Sequence, residues 1–424
     1  MSKKYTNTIY NTFMLYLLTV AKTVFPLLTL PYLARILSVE CYGIVSYVKA
    51  VVGYAQIIVD FGFILSAVKE IVEAQNDKES ISKVVGNTII SKLLLSVMAL
   101  FVIVIISNSI TILKNNLLYV LLSMLVPVLS CFLLDFLFRG IEKMHIVTII
   151  FVAMKLISVI LTFLFIKNDS QILLIPIFDI ISSMVAVLLN WIFAKKLGYS
   201  FIFTNIKSCF EKIKTSFGYF ANSMASTAFG ALNTVVMGIY IEDMTQIAYW
   251  SVCMQIVGAI QNMYTPISNG IYPHMIKSKD FGLIRMILFV FMPIILFGTL
   301  ILYIISPTIL TIVAGDKYIG AVPIFRMLLP VIIMSFPVAI LGWPALGAIN
   351  KVKETTLSTI YGAITQVIGL LLFIVTNSFT IINIAILRNI SEFAMLGTRA
   401  IYLYKFKNLY ISKSNQQEAN KNEF

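Results

Sequence analysis

Charge is what this chain has least of. Of its 424 residues only 12% are Asp, Glu, Lys or Arg, where a soluble domain carries about a quarter. A surface that polar-poor cannot face water, so a soluble fold is excluded. Histidine is nearly absent too: His145 and His274 stand far apart, in predicted cytoplasmic loops, with neither metal-ligand nor nucleophile spacing. Four cysteines, Cys41, Cys131, Cys209 and Cys253, form no Cys-x-x-Cys pair, which argues against a disulfide framework or a zinc site and leaves them as small apolar fillers. There is no Gly-x-x-x-x-Gly-Lys-[Ser/Thr] loop, so no ATP-driven engine of that type is built in. No carboxylate pair has the partners that glycosyl transfer would need, and the chain does not read as an enzyme. No cofactor or metal is expected.

What the chain has instead is apolar length. Hydrophobic residues make up 59% of it, and the mean hydropathy is +0.93. A membrane-spanning helix needs about 20 consecutive apolar residues, so there is room for about a dozen and for no sizeable soluble domain. Apolar runs between charge and turn clusters place spans near 9–36, 43–65, 83–107, 116–138, 146–166, 171–194, 215–240, 246–270, 284–306, 321–346, 355–376 and 380–404. The expectation is an all-α polytopic membrane protein of two six-helix bundles. The eighth span is the weakest, because Gln255, Gln261 and Asn262 interrupt it. The Lys-Lys at the N-terminus precedes a long span without a short hydrophobic core and cleavage site, which reads as a retained first helix.

Lysine and arginine are retained on the cytoplasmic side of a membrane. With both termini inside, the inner segments collect Lys3, Lys4, Lys69, Lys78, Lys83, Arg139, Lys143, the cluster from Lys195 to Lys214, Lys277, Lys279, Arg285, Lys351, Lys353 and Lys405 to Lys421. The outer loops keep only Lys114, Lys167 and Lys317. Topology and contact with anionic membrane lipids therefore account for the net charge of +13 without a nucleic-acid partner.

Six spans in each half would give the halves the same orientation, the arrangement of parallel repeats. The expected division is 1–196, a cytoplasmic linker 197–214, a second bundle 215–404 and a polar tail 405–424. Asn11-Thr12 and Lys22 stand about half a chain before Asn222-Ser223 and Asn233, and "MLVPV" at Met124 resembles "MLLPV" at Met327. Pro26 and Pro31 are expected to interrupt the first span. Pro323, Pro330, Pro337 and Pro344 recur at seven-residue steps and mark one side of a bent tenth helix.

The charges left inside spans carry the most information, since each costs at least about 2.5–3.5 kcal/mol at the bilayer centre and by default faces a cavity or a partner. Lys22, Lys49, Lys155, Asp179 and Arg388 fall deep in their spans; Arg326 and Glu392 join them. Cations outnumber anions, which points to a cavity that receives an anion. Fixed pairing is the alternative for two of the cations, Lys155 with Asp179 at similar depth and Arg388 with Glu392 one turn on. Snorkelling is the alternative for Lys49, and Lys22 has no such account. Asn222, Ser226, Gly230 and Asn233 share one face of the seventh span. With Gln255 and Asn262 they form either helix-packing contacts or a polar lining for sugar hydroxyls.

Three stretches carry a family likeness. They are "NTFMLYLLTVAKTVFPLLTLPYLARIL" from Asn11 to Leu37, "YGIVSYVKAVVGYAQIIVDFGFILSAVKEI" from Tyr42 to Ile71, and "FLFRGIEKM" from Phe136 to Met144. Over this first third the chain resembles the Wzx-type polysaccharide (O-antigen repeat unit) flippases. Their superfamily also holds lipid II flippases and multidrug and toxin extrusion transporters. The pattern departs where the family usually has arginine in place of Lys69 and often glutamine in place of Arg139. The resemblance implies a MATE-like fold in the bacterial inner membrane. It also implies carriage of undecaprenyl-pyrophosphate-linked oligosaccharide from the cytoplasmic to the outer leaflet, with the polysaccharide polymerase and chain-length regulator as partners. The coupling ion would be a proton or sodium, with Asp60, Asp135, Asp179 and Glu392 as gate or coupling carboxylates; Asp60 would make a state-dependent contact near the inner gate, or else a fixed ion pair or local cap. The alternatives are a multidrug or cation antiporter of the same fold, a membrane-embedded polymerase, and a non-transporting scaffold.

Overall fold

A bilayer interior offers the backbone no water, so a chain this apolar must satisfy its peptide groups within helices or a closed barrel. The computed structural model describes residues 3–74, 77–227, 230–241 and 243–410, without the side chains of residues 3–9, Asn222, Ala225 and Ser226. Among the described residues it is helical with no strand. The helices are α1 (Lys3–Ile36), α2 (Val39–Asp60), α3 (Phe63–Glu73), α4 (Lys78–Ser109), α5 (Thr111–Asn115), α6 (Leu117–Ser130), α7 (Asp135–Gly140), α8 (Met144–Phe165) and α9 (Leu174–Lys196). Then follow α10 (Ile206–Thr227), α11 (Ala231–Tyr240), α12 (Met244–Asn262), α13 (Thr265–Ser278), α14 (Phe281–Ile304), α15 (Ser306–Ala314), α16 (Val322–Ile340), α17 (Val352–Val375) and α18 (Ile381–Lys405).

Nine helical segments among the described residues are long and apolar enough to cross a membrane. They coincide with the first six spans expected from sequence and with the ninth, tenth and eleventh. The other three are helical but interrupted or polar. The seventh is split between α10 and α11 and the eighth between α12 and α13. The twelfth, α18, is one helix of 25 residues carrying Arg388, Glu392 and Arg399.

The chain divides into two compact units. Residues 1–224 with 234–245 form the first, and 225–233 with 246–424 the second. Helix α10 begins at Ile206, inside the stretch expected as a linker. In the first unit α8 packs on α1 and α9, α9 on α6, α2 on α4 and α6, and α3 on α7. The "FLFRGIEKM" stretch supplies the centre of this core: Phe136, Leu137 and Phe138 are buried beside Ile71, Ile81 and Val85.

Between α2 and α3 the helix breaks, and both residues of the break are left-handed, Phe61 at φ 41° and Gly62 at φ 76°. Glycine suits the second position doubly. It adopts positive φ without strain, and an added Cβ would collide with Tyr219. Asp60 sits just before this break, at the last residue of α2, and is half-buried.

The expectation that Pro26 and Pro31 interrupt the first span is corrected by the structure, since α1 runs through both as one helix. Between the two prolines, Thr29 donates its hydroxyl to the carbonyls of Phe25, at 3.2 Å, and Pro26, at 3.1 Å.

In the second unit α18 packs on α16 and α17, and α14 on α16. The tenth span does bend. Helix α16 contains Pro330 and Pro337 and passes into a wider π-turn, Leu341–Leu346, where Gly342 departs from helical geometry at ψ −108° and Pro344 follows. Arg399 of α18, itself buried, crosses to the bend. Its Nη1 donates to the Val338 carbonyl, and its other nitrogens reach Ser358 Oγ at 2.9 Å and Thr359 Oγ1 at 3.1 Å. The Val338 carbonyl, which also accepts from the Leu341 N–H at the end of α16, thus gains a cationic donor at the bend.

Candidate functional site

Helical spacing alone brings several polar side chains of the first unit to common faces. Lys22, Pro26, Thr29 and Leu33 follow steps of four, three and four along α1; Lys49, Gly53 and Gln56 do the same on α2, and Lys155, Ser158 and Thr162 on α8. These three faces, with Tyr119 and Ser123 of α6 and Asp179 of α9, enclose one cavity of about 320 Å³. Its charged lining is Lys22, Lys49, Lys155 and Asp179, three cations against one anion.

Each charge has a distinct setting. Lys22 lies over the face of Phe151, its Nζ 5.6 Å from the ring centre. Lys49 exposes its side chain although protein surrounds it, so the exposed surface faces the cavity, where Lys155 and Asp179 act on it electrostatically. Lys155 Nζ and Asp179 Oδ1 are 3.9 Å apart, with side chains 37% and 35% exposed. Ser158 Oγ donates to the same carboxylate oxygen at 2.7 Å. Among the described residues, neither Lys22 nor Lys49 has a carboxylate within 4.0 Å.

Gln56 connects the cavity to Asp60. Its Nε2 donates to Asp60 Oδ2 and to Ser130 Oγ, both at 2.9 Å. On its other oxygen Asp60 accepts from Lys92 Nζ at 2.9 Å. Reading the sequence missed Lys92, whose signal was its isolation as the one charge deep in the aliphatic third span. The two partners are unequally placed, since the Lys92 side chain is 8% exposed and that of Asp60 46%. This asymmetry carries a prediction. Asp60→Ala strands a buried ammonium and should destabilise the protein by about 3–5 kcal/mol, whereas Lys92→Met leaves a half-exposed carboxylate and should cost at most about 1 kcal/mol. Thermal unfolding of the two variants in detergent checks the order; equal losses would contradict it.

Further along the same motif, Glu70 accepts from Lys212 Nζ at 2.6 Å, and Lys212 also reaches Thr88 Oγ1 at 3.0 Å. Burial pulls the Lys212 pKa down and the Glu70 carboxylate opposes that pull. Lys69 pairs with Glu73, at 3.7 Å on the surface. Asp135 opens α7 beyond the cavity lining, and the charges acting on it include Arg139, Lys92, Lys22 and Asp60.

Arg326, Arg388, Glu392, Asn233, Gln255 and Asn262 lie in the second unit, and none of them lines this cavity. Arg388 and Glu392 form a buried pair at 2.6 Å. Arg326 donates from Nε to Ser306 Oγ at 2.8 Å and to the Tyr303 carbonyl at 3.2 Å, and it lies 4.6 Å above the Tyr303 ring. Asn233 accepts from Gln366 Nε2 at 2.8 Å, and Ser391 Oγ donates to Gln366 Oε1 at 2.8 Å. All three are buried, so Asn233 belongs to an interhelical network. Gln255 is half-buried in α12, and Asn262 is exposed at its end. The side chains of Asn222 and Ser226 lie outside the described residues. No group of three or more His, Cys, Asp or Glu able to hold a metal ion occurs among the described residues.

Comparison with known proteins adds three findings. A family model described as "Polysaccharide biosynthesis protein" matches residues 9–279. Among curated proteins, a putative O-antigen transporter of Shigella dysenteriae is 27% identical over 313 residues, covering 73% of this chain and 78% of that one. A putative O-antigen transporter of Escherichia coli (strain K12) is 26% identical over 251 residues, 58% of this chain and 60% of that one. Among solved structures, the lipid II flippase MurJ in an inward closed conformation superposes with a TM-score of 0.70 at 15% identity, over 94% of this chain and 87% of that one. An inward-facing multidrug resistance MATE family transporter superposes with a TM-score of 0.67 at 12% identity, over 91% and 99%. At such identities these two establish a MATE-like polytopic fold.

Proposed function

Because the chain belongs to the polysaccharide biosynthesis protein family, we propose that it is a flippase in the bacterial inner membrane. Its substrate in this reading is an undecaprenyl-pyrophosphate-linked oligosaccharide repeat unit, moved from the cytoplasmic to the outer leaflet. The O-antigen transporter relatives support the substrate class. The observation that carries the reading is the cavity in which three lysines face one aspartate. Sugar hydroxyls and pyrophosphate cannot enter hydrocarbon without losing several kcal/mol per unsatisfied group, so a carrier must substitute its own polar groups. About 320 Å³ is the low end of a small-ligand pocket and accommodates a diphosphate, with the glycan outside it. Lys22, Lys49 and Lys155 are the groups that bind the diphosphate, and the polyprenyl tail stays in the bilayer.

The electrical gradient gives the movement its direction. A pyrophosphate diester carries about two negative charges and gains roughly 4.6 kcal/mol per 100 mV on leaving a negative interior. Alternating access completes the cycle, and a proton or sodium ion resets the empty carrier through Asp60 or Asp179, the candidate carboxylates open to water or to the cavity. A cation antiporter would need the opposite lining. Polymerase and chain-length regulator are the partners that would receive the product.

The test is made in cells lacking the gene, by determining which membrane face holds the lipid-linked repeat unit. Accumulation on the cytoplasmic face, relieved by restoring the gene, is the expected result. Normal delivery to the outer face together with altered drug efflux would overturn the reading.

A further inference from the structure

The Arg388–Glu392 and Lys155–Asp179 pairs differ in a way that assigns them different work. Arg388 and Glu392 touch at 2.6 Å with side chains 5% and 3% exposed, so in this structure their charges offset each other within the protein interior. Lys155 and Asp179 are 3.9 Å apart, each more than a third exposed, and both line the cavity. Asp179 is held in place by Ser158 rather than by close contact with Lys155. Its charge therefore acts on whatever enters. The neighbouring Asp60–Lys92 pair, reached through Gln56, adds no net charge. With Asp179 ionised, three lysines and one aspartate leave a net of two positive charges on the lining.

We propose that Asp179 sets this charge count and thereby makes the cavity select a pyrophosphate diester over a pyrophosphate monoester. The inference rests on the cavity being the pyrophosphate site. Three lysines alone match a trianion; Asp179 brings the match down to a dianion. In a low-dielectric cavity a charge left uncompensated is costly, so the matched ligand is preferred. A polyprenyl carrier bearing a glycan is a diester with two ionised phosphoryl oxygens. The unloaded carrier is a monoester and holds about three charges above the second phosphate pKa of about 6. Asp179 thus lets the protein tell loaded carrier from empty carrier by charge, without reading the sugar.

The experiment compares farnesyl pyrophosphate with a farnesyl-pyrophosphoryl hexose at pH 8, using the full-length protein in nanodiscs and calorimetric affinities. Asp179→Asn raises the lining to three net charges and should shift the monoester-to-diester affinity ratio up by on the order of tenfold. Lys155→Gln lowers the lining to one and should shift the ratio the opposite way, while Asp179→Glu should keep the wild-type ratio. A ratio that stays put in both Asp179→Asn and Lys155→Gln, with both probes bound, overturns this inference and leaves the cavity reading standing. If the wild-type protein binds neither probe, the cavity reading falls and takes the inference with it.

Discussion

Lys49→Glu is expected to reduce repeat-unit translocation by at least about a hundredfold while leaving a folded protein in the membrane. Lys49 faces the cavity from α2, and no carboxylate lies within 4.0 Å of it among the described residues, so no existing ion pair is broken by the change. Reversing its charge takes the lining from two net positive charges to none. Against a dianion, a change of two charges at contact distance amounts to several kcal/mol even at an effective dielectric of about 20. Lys155 lies close enough to act on the new carboxylate electrostatically, which limits the cost of inserting it. The measurement is surface polysaccharide in complemented cells, read beside protein level and the leaflet holding the lipid-linked intermediate. Lys49→Arg should retain function. Undiminished export by a Lys49→Glu protein would remove the cationic cavity from the mechanism.

Glu392→Ala should destabilise the protein as strongly as Asp60→Ala does. It leaves the Arg388 guanidinium, 4% exposed, without its carboxylate at 2.6 Å. Breaking a buried pair from one side typically costs about 3–5 kcal/mol, whereas replacing both partners with apolar groups of similar volume is often close to neutral. The double variant Arg388→Met/Glu392→Leu should therefore recover most of the loss in thermal unfolding. The same variant decides what Arg388 does. If the pair only holds α18 in place, the double variant restores export along with stability; if Arg388 contacts the substrate, stability returns and export does not.

The sequence anticipated both pairs of deep charges, because an i,i+4 spacing and a shared depth on antiparallel helices are geometric facts available before folding. It did not anticipate Lys92 as the partner of Asp60 or Lys212 as the partner of Glu70. Those contacts join helices separated by 32 and 142 positions, and they depend on how each helix is rotated about its axis. The proline arguments divided for a related reason. Pro26 and Pro31 leave α1 a single helix, while the tenth span bends where Gly342 and Pro344 coincide and Arg399 attends to the Val338 carbonyl. A proline removes one hydrogen bond wherever it stands. Whether the helix bends depends on neighbours that the local sequence does not contain.

By itself the sequence determined the class of this protein, the position of its apolar helices, the motifs of its first third and the depth of each stranded charge. All of these follow from composition and from a period of about 3.6 residues, which act within one helix. Only the tertiary structure decided which of those charges face the same space. Lys22, Lys49, Lys155 and Asp179 come from α1, α2, α8 and α9 and share a cavity, while Arg388, equally deep by sequence, closes on Glu392. Periodicity assigns a side chain to a face of its own helix. The packing of neighbouring helices settles whether that face meets a void, a lipid or an opposite charge.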